Sequence, residues 1–327
     1  MDLSKIYRTE SPDYKEVWEN LVAGVKDYLD EFGIQSMILG VSGGIDSTVV
    51  AAICCEVSKR TGKKLIGMSL MTPTNANDEI ESALAVGHEF CNHYSVTYMD
   101  KEFEILNRMC EEVNGPNDSF SSGNIKARMR MLTLFDASAK NKGIVMGGSN
   151  LTEVLLGFFT IGGDNISALA PLGSLWKHEV YGLARWIKDN IYPESVALEK
   201  AIAIIPTDGN GVVAGGDLAQ IAPGATYEIV DDILMRYIYT KYQYREKYGT
   251  VEYDEATSKC WDRCRELYGE EVTSRVIHRY INTEFKRFHA PVYVDAFEFK
   301  GVSKDMSGNV IVNNCFTAYE STTNNKD

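Results

Sequence analysis

One stretch, Ile38-Leu-Gly-Val-Ser-Gly-Gly-Ile-Asp-Ser47, restricts the possible folds more than any other. Met37, Ile38, Leu39 and Val41 read as a short buried strand, and Ser42-Gly43-Gly44 as a sharp turn. Asp46-Ser47 opens a helix whose Val49, Ile53 and Val57 return to one face. A strand that turns through glycines into a helix start presents backbone N–H groups, hydroxyls and a positive dipole end to an anion. Glycine lets the backbone approach a ligand where a Cβ would stand in the way. Phosphate suits such a turn. No lysine precedes Ser47, so this is not the nucleotide loop that ends in Gly-Lys-Ser/Thr. A plain glycine turn is the competing reading; two glycines would satisfy it, but the whole string from Ser42 to Ser47 asks for more.

The chain around this turn alternates. Residues 11–32 form an amphipathic helix with Tyr14, Val17, Leu21, Val25 and Leu29 on one side, ended by Gly33. After the phosphate turn and its helix, Leu65–Met71 reads as a strand, 79–90 as a helix and 95–99 as a strand. A helical segment then runs to Val113, followed by a turn-rich loop from Asn114 to Asn124. Short strands alternating with helices predict right-handed βαβ units. The expected fold class is therefore α/β: a doubly wound, Rossmann-like parallel sheet flanked by helices. Ligands in such sheets bind at the carboxyl ends of the strands, where the Ser42 turn already lies.

Composition narrows the partners. At 327 residues the chain can bury a full core, and its net charge of −13 argues against a general nucleic-acid surface. No apolar run approaches a membrane span and Met1-Asp-Leu-Ser-Lys5 is no signal peptide. The seven cysteines contain no Cys-x-x-Cys pair; Cys260 and Cys264 are one helical turn apart without nearby ligands, which favours packed thiols over a metal site. A reduced, cytoplasmic protein is expected.

In so acidic a chain, Lys126, Arg128 and Arg130 call for an explanation. They lie in a helix expected to start at Gly123, and a solvated helix face is the alternative to a ligand site. Beyond them, Gly143–Gly148 is a second strand running into glycines, followed by Ser149-Asn-Leu-Thr-Glu153 and Gly157-Phe-Phe-Thr-Ile-Gly-Gly-Asp164. The tyrosine-rich stretch from Tyr237 to Tyr244 suits a helix–helix or subunit contact, and the five histidines read as surface or structural groups.

Taken together, these motifs resemble known enzymes. Ser-Gly-Gly-x-Asp-Ser looks like the pyrophosphate loop of the N-type ATP pyrophosphatases. With Gly123-Asn-x-Lys-Ala-Arg-x-Arg-Met131, Glu153, Gly157-Phe-Phe-Thr160 and Asp164, the chain resembles the NAD synthetases, specifically the ammonia-dependent form. Pro171–Lys177, Pro206-Thr207, Thr226–Asp232 and Thr283-Glu-Phe-Lys-Arg287 are similar to further family segments, so the likeness runs from about Leu29 to Pro291. It implies ATP-dependent amidation of nicotinate adenine dinucleotide (deamido-NAD) with ammonia, through an acyl adenylate, giving NAD, AMP and pyrophosphate.

The resemblance also implies roles. Gly40, Ser42, Gly43, Gly44, Ile45, Asp46, Ser47, Arg130, Lys177 and Thr207 would bind ATP and pyrophosphate. Phe120, Asn124, Arg128, Asp164 and Lys286 would bind deamido-NAD, and Asp46, Asp164 and Lys177 would be catalytic. Mg²⁺ would be the cofactor, held by Asp46 and Glu153, since an aspartate inside a phosphate loop needs a shielding cation. A homodimer is implied, as are residues 1–290 as one domain with a helical excursion at about 240–275, and 291–327 as an extension. No glutaminase domain is recognisable, so glutamine as the ammonia source would require a second protein.

Departures from the family pattern cluster at one end of the expected site. The family's Thr-Lys-Tyr-Gly-Asp-Gly stands here as Thr160-Ile-Gly-Gly-Asp-Asn165, Phe285 replaces a histidine, and residues 209–216 are glycine-rich where an acidic run is expected. Another N-type ATP pyrophosphatase acting on a different carboxylate or carbonyl is the rival enzyme. No basic face or catalytic cysteine pair marks a tRNA enzyme, and Asp46, Glu153 and Lys177 together exceed what a silent nucleotide-binding module needs.

Overall fold

The structure is a computed structural model that describes residues 7–8, 10–72, 74–204, 217–247, 250–287 and 292–293. Helix α1 (Tyr14–Glu31) starts where the Asp13 carboxylate accepts the Lys15 N–H at 2.9 Å, and buries Val17, Trp18, Leu21, Val22, Val25 and Leu29. Strand β1 (Ser36–Gly40) then leads through the glycine turn into α2 (Ile45–Thr61), which Gly62 ends in a left-handed conformation. The units β2 (Lys64–Met71), α3 (Asn77–Phe90), β3 (His93–Tyr98), α4 (Asp100–Asn114), α5 (Ser119–Lys140) and β4 (Gly143–Met146) follow. Next come α6 (Leu151–Leu155), β5 (Leu169–Ala170), α7 (Lys177–Asn190) and α8 (Val196–Ala203).

The described strands make a six-stranded sheet in the order β3-β2-β1-β4-β5-β6, the last being Val292–Tyr293, and every pair is parallel. The predicted α/β sheet is present. Its direction of winding reverses between β1 and β4, the switch point where such sheets leave a crevice beyond the strand ends. Alternation along β1 sends Met37 and Leu39 into the core under α1, α2, α3, α7 and α8, and Ile38 into the core under α4 and α5.

A third core joins α6 and Trp176 to the helices α9 (Asp217–Ile221), α10 (Tyr227–Lys247), α11 (Thr250–Tyr268) and α12 (Glu270–Asn282); α13 (Glu284–Arg287) follows. Cys264 is buried there and Cys260 packs against it, while Tyr237 sits edge-on to Trp261 and Tyr280. The tyrosine-rich stretch thus serves helix–helix packing within the chain.

Some sequence expectations need correction. Helix α5 begins at Ser119, not Gly123: the Asp118 carboxylate caps it by accepting the Ser121 N–H at 2.7 Å, so Phe120 and Asn124 are helical rather than in a loop. Helix α2 is buried on more than the predicted face, with Val50, Ala51, Ala52 and Cys54 also enclosed, because α1, α3, α7 and α8 all pack on it. Among the described residues no helix is long and apolar enough to cross a membrane.

Candidate active site

The Ser42–Ser47 turn forms as its sequence requires. Gly43 has φ of +83°, and a Cβ there would meet the Ala83 backbone nitrogen at 2.5 Å. Ser42 and Ser47 hydroxyls bond each other at 2.9 Å, and Ser82 Oγ donates to the Gly43 carbonyl at 2.7 Å, locking the turn against α3. Ile45 buries its side chain, so what it offers an anion is its backbone N–H in the first turn of α2.

Behind the turn sits a buried lysine between two carboxylates. Lys177, the first residue of α7 and only 1% exposed, places Nζ 2.5 Å from Asp46 Oδ2 and 2.9 Å from Glu153 Oε1. Asp46 comes from the turn after β1 and Glu153 from the helix after β4, so the two carboxylates flank the switch point. Asn150 caps α6 by accepting the Glu153 N–H at 3.1 Å, and donates Nδ2 to Asp46 Oδ1 at 2.8 Å. Burial works against the Lys177 ammonium, but the adjoining Asp46 and Glu153 carboxylates outweigh it and keep the lysine charged. Burial pushes the Glu153 carboxyl up to about 8, with Lys177 opposing the rise and Asp46 adding to it.

Lys177 is held from behind. Its N–H donates to Thr152 Oγ1 at 2.8 Å, and Thr152 Oγ1 donates to the fully buried Asp231 of α10 at 2.5 Å. The other Asp231 oxygen accepts the His178 N–H at 3.0 Å and meets His178 Nδ1 at 2.8 Å. The C-terminal helices thereby fix the start of α7. His178 is structural, as the sequence suggested.

A cavity of about 370 Å³ extends from the turn past Glu153 and Lys177 to the segment around Asp164. Arg130 lines it at the end of β2, donating Nε to the Leu70 carbonyl at 3.0 Å and Nη2 to Thr72 Oγ1 at 3.1 Å. Gly40, Phe120, Asn124, Asp164 and Lys286 also line it. Asn124 Oδ1 accepts from Thr160 Oγ1 at 2.8 Å, and Asp164 Oδ1 accepts the Thr160 N–H at 2.8 Å. Asp164 is reached by solvent through the cleft yet ringed by protein, and that desolvation raises its carboxyl against the Thr160 hydrogen bond and the Lys286 charge. Lys286 Nζ donates to the carbonyls of Gly157 and Phe159 at 2.8 and 2.7 Å. Arg128 does not line the cavity; its Nε donates to the Ile161 carbonyl at 3.2 Å and so braces the Thr160–Asn165 segment from outside. Thr207 and the 209–216 stretch lie outside the described residues.

The geometry also brings in residues that motif reading missed. Asn150, Asp231 and Arg279 all act here, and Tyr181 and Tyr227 shield Lys177, the Tyr227 ring centroid lying 5.4 Å from Nζ. A cap position after the Gly147-Gly148 turn could have flagged Asn150, and Asp231 lies within the family-like Thr226–Asp232 segment without a role having been read for it; Arg279 carries no local signal.

The model of the NAD synthase family matches residues 17–290 of this chain. The chain belongs to the NAD synthase family. A relative, the NH(3)-dependent NAD(+) synthetase of Thermococcus sibiricus, is 31% identical over 229 residues, covering 70% of this chain and 83% of its own length. The corresponding synthetase of Campylobacter jejuni is 33% identical over 227 residues, covering 68% and 88%. Among solved structures, the NH3-dependent NAD synthetase of C. jejuni superposes on this NAD synthase family member with a TM-score of 0.60 at 23% identity, over 84% of this chain and 96% of the other. NMN synthetase of Francisella tularensis gives 0.63 at 21% identity, with the same coverage. These two likenesses show the fold, and with the family model they confirm the predicted doubly wound architecture with its C-terminal helices.

Proposed function

We propose that this chain is an ammonia-dependent NAD synthetase, joining ammonia to the nicotinate carboxylate of deamido-NAD at the expense of ATP. The observation that carries the reading is the Asp46–Lys177–Glu153 constellation beside a phosphate turn, at one end of a cavity that continues to Asp164 and Lys286. The substrate carboxylate attacks the α-phosphorus, the bond to the β-phosphate bridging oxygen breaks, and pyrophosphate leaves. Ammonia then attacks the acyl carbon, AMP departs, and the nitrogen loses a proton. Phosphoryl chemistry of this kind needs positioning and charge neutralisation more than covalent help.

The chain's own groups divide that labour. Ser42, Gly43, Gly44, Ile45 and Ser47 present donors to the leaving pyrophosphate, with Lys177 supplying positive charge and Arg130 on the nucleotide side. Phe120 and Asn124 border the dinucleotide, Lys286 orders the 157–159 backbone, and Asp164 stands at the acyl end to accept a proton from ammonium. Asp46 and Glu153 suit Mg²⁺. Their oxygens are no more than about 5.4 Å apart, since both contact one nitrogen. Mg²⁺ commonly binds one or two carboxylates and takes its remaining oxygens from phosphates and water. When bound, such a cation would neutralise charge on the leaving pyrophosphate; in this structure the ammonium of Lys177 stands between the carboxylates.

Two further parts of the reading concern assembly. Residues 1–290 act as one domain, supported by the Thr152–Asp231–His178 bonds that tie the C-terminal helices to the sheet. The chain pairs as a homodimer, supported by an exposed apolar face: Ile105, Met109 and Val113 recur every fourth residue on α4, beside Leu132 and Phe135 of α5. A cytoplasmic location accords with ATP and ammonia as substrates.

Purified protein incubated with ATP, Mg²⁺, ammonium and deamido-NAD should yield NAD, AMP and pyrophosphate in equal amounts. Glutamine should replace ammonium only if a glutaminase partner is added. Nicotinate mononucleotide belongs in a parallel arm, because the fold is shared with an NMN synthetase. ATP cleavage with the mononucleotide or another acceptor, but none with deamido-NAD, would overturn the substrate assignment in favour of another N-type pyrophosphatase.

A further inference from the structure

Four cations border the deep part of the cavity, and three of them are spoken for. Lys177 has two carboxylates, Lys286 has two carbonyls, and Arg130 has the Leu70 carbonyl with Thr72. Arg279 of α12 differs. Its Nε donates to the Leu156 carbonyl at 3.1 Å and its Cζ lies 5.1 Å from the Phe158 ring centroid. Among the described residues no carboxylate stands within ion-pair distance of it, and Nη1 and Nη2 make no protein hydrogen bond. A guanidinium carries five N–H donors in a rigid fork. Keeping most of them unspent in a half-buried position opposes folding, because desolvated charge without a partner is costly. The Phe158 stack and the single bond to Leu156 aim the plane; they do not neutralise it.

Its place along the cavity says what could. The Leu156 carbonyl that holds Arg279 stands between Glu153, which meets Lys177 at the phosphate end, and the Gly157 and Phe159 carbonyls that Lys286 holds toward the acyl end. Arg279 therefore sits between the two ends, where the carboxylate meets the α-phosphorus. Two anions pass through that position: the α-phosphate of ATP and the nicotinate carboxylate. A fork closing on both carboxylate oxygens would occupy the nucleophile that has to attack. A fork closing on two non-bridging phosphate oxygens leaves the reaction path free and matches guanidinium geometry.

We propose that Arg279 is a substrate-binding residue of the NAD synthetase reaction that clamps the non-bridging oxygens of the α-phosphate, first in ATP, then in the acyl adenylate, and finally in AMP. The inference rests on the proposed function above. It adds a positive group from the C-terminal helices to a phosphate site otherwise built from the sheet's strand ends.

The test compares wild type with Arg279→Gln and Arg279→Lys. Melting curves and circular dichroism establish folding. Kinetics give kcat and KM for each substrate, together with inhibition by AMP and ATP–pyrophosphate exchange in the presence of deamido-NAD. Arg279→Gln should lower kcat/KM for ATP by about 100-fold, the loss typical of one preorganised donor at an oxyanion. It should weaken AMP inhibition by at least about tenfold, slow exchange in parallel, and leave KM for deamido-NAD within about twofold. Arg279→Lys, keeping the charge without the fork, should recover part of the loss. A folded Arg279→Gln with wild-type exchange and AMP inhibition would reduce Arg279 to a structural prop and overturn the proposal. A selective rise in KM for deamido-NAD, with AMP inhibition unchanged, would assign the guanidinium to the carboxylate and overturn it equally. If wild type itself makes no NAD, the functional reading has failed separately; direct titration of wild type and Arg279→Gln with AMP then still decides the clamp, which requires at least about a tenfold weaker complex in the variant.

Discussion

Replacing Lys177 by Met removes the ammonium from between Asp46 and Glu153 while filling similar volume. The two carboxylates are then left with oxygens no more than about 5.4 Å apart. Two unit charges at that separation repel by roughly 3 kcal/mol at an effective dielectric of about 20. This is the low end of the roughly 3–5 kcal/mol that removal of one buried ion-pair partner costs. The low end is appropriate because Asp46 and Glu153 side chains remain 19% and 18% exposed. At about 2 °C per kcal/mol for a chain of this size, the melting temperature should fall by roughly 6 °C. Burial pushes Glu153 up to about 8 even with Lys177 opposing the rise, and the variant lacks that opposition, so measurement at about pH 9.5 is needed to limit relief by protonation. Mg²⁺ at about 100 times its dissociation constant contributes roughly 2.7 kcal/mol through binding. It should therefore restore most of the variant's loss, and stabilise wild type less, because there the ammonium competes for the same oxygens. Activity should stay lost in both conditions, since the phosphates lack their lysine. Differential scanning calorimetry with and without Mg²⁺ is the assay. A fall of less than about 1 °C, or equal stabilisation of both proteins by Mg²⁺, would refute this account of the constellation.

Other outcomes follow from the same geometry. Asp46→Ala should abolish pyrophosphate release from ATP while leaving the far-ultraviolet dichroism unchanged; substantial residual release would remove Asp46 from the metal assignment. Gly43→Ala should be far worse than Gly44→Ala. The first forces a side chain into φ of +83° and against the Ala83 and Glu79 backbone, whereas Gly44 has φ of −72° and a Cβ there would meet only Ser42 Oγ, at 3.4 Å. A melting-temperature drop several degrees larger for the first variant is the expected reading. His178 supplies a pH dependence. Burial disfavours its charged form, but the hydrogen bond and charge of Asp231 prevail and raise its pKa in the folded chain. A raised histidine contributes stability that is complete below about pH 6.5 and is lost as pH rises through the folded value. The stability gap between wild type and His178→Gln should accordingly narrow from pH 6 to pH 8.5. A gap that widens instead would show that the imidazole is held neutral.

What the sequence disclosed was what short-range chemistry controls. The strand–glycine–helix string around Ser42 dictates its own conformation, so its position at the end of β1 was readable, as was the parallel sheet from alternating segments. The segment before Asn124 misled because Ser119, Ser121, Ser122 and Gly123 are turn-forming residues. One capping carboxylate, Asp118, is enough to convert them into the first turn of α5. Arg128 misled for a different reason: neighbouring basic residues on a helix point in different directions, and the structure sends Arg130 to the β2 carbonyl end but Arg128 to Ile161.

The contrast between the two ends of the cavity has the same origin. At the phosphate end each group sits within a few residues of a strand terminus, and parallel strands converge there whatever the helices do, so matching local motifs was sufficient to bring Asp46 and Glu153 together. Even so, the Asn150 contact that orients Asp46 spans 104 positions and left no trace in spacing. At the acyl end nothing is organised by the sheet alone. Lys286 reaches back 129 positions to the Gly157 carbonyl, and Arg279 reaches 123 to that of Leu156. The Thr160–Asn165 segment, where a lysine and a tyrosine of the family pattern are replaced by Ile161 and Gly162, is thus held from two sides, by Asn124 and Arg128 of α5 directly and through the preceding 156–159 backbone by the C-terminal helices. Loss of two side chains there does not empty the site of charge, because α12 and α13 deliver Arg279 and Lys286 to the same wall of the cavity. Docking of the C-terminal helices therefore bears on both ends of the cavity: truncating Val276 or Tyr280 in the buried face of α12 should raise KM for ATP as well as for the acyl substrate, and an effect confined to the acyl substrate would count against the placing of Arg279 at the phosphate.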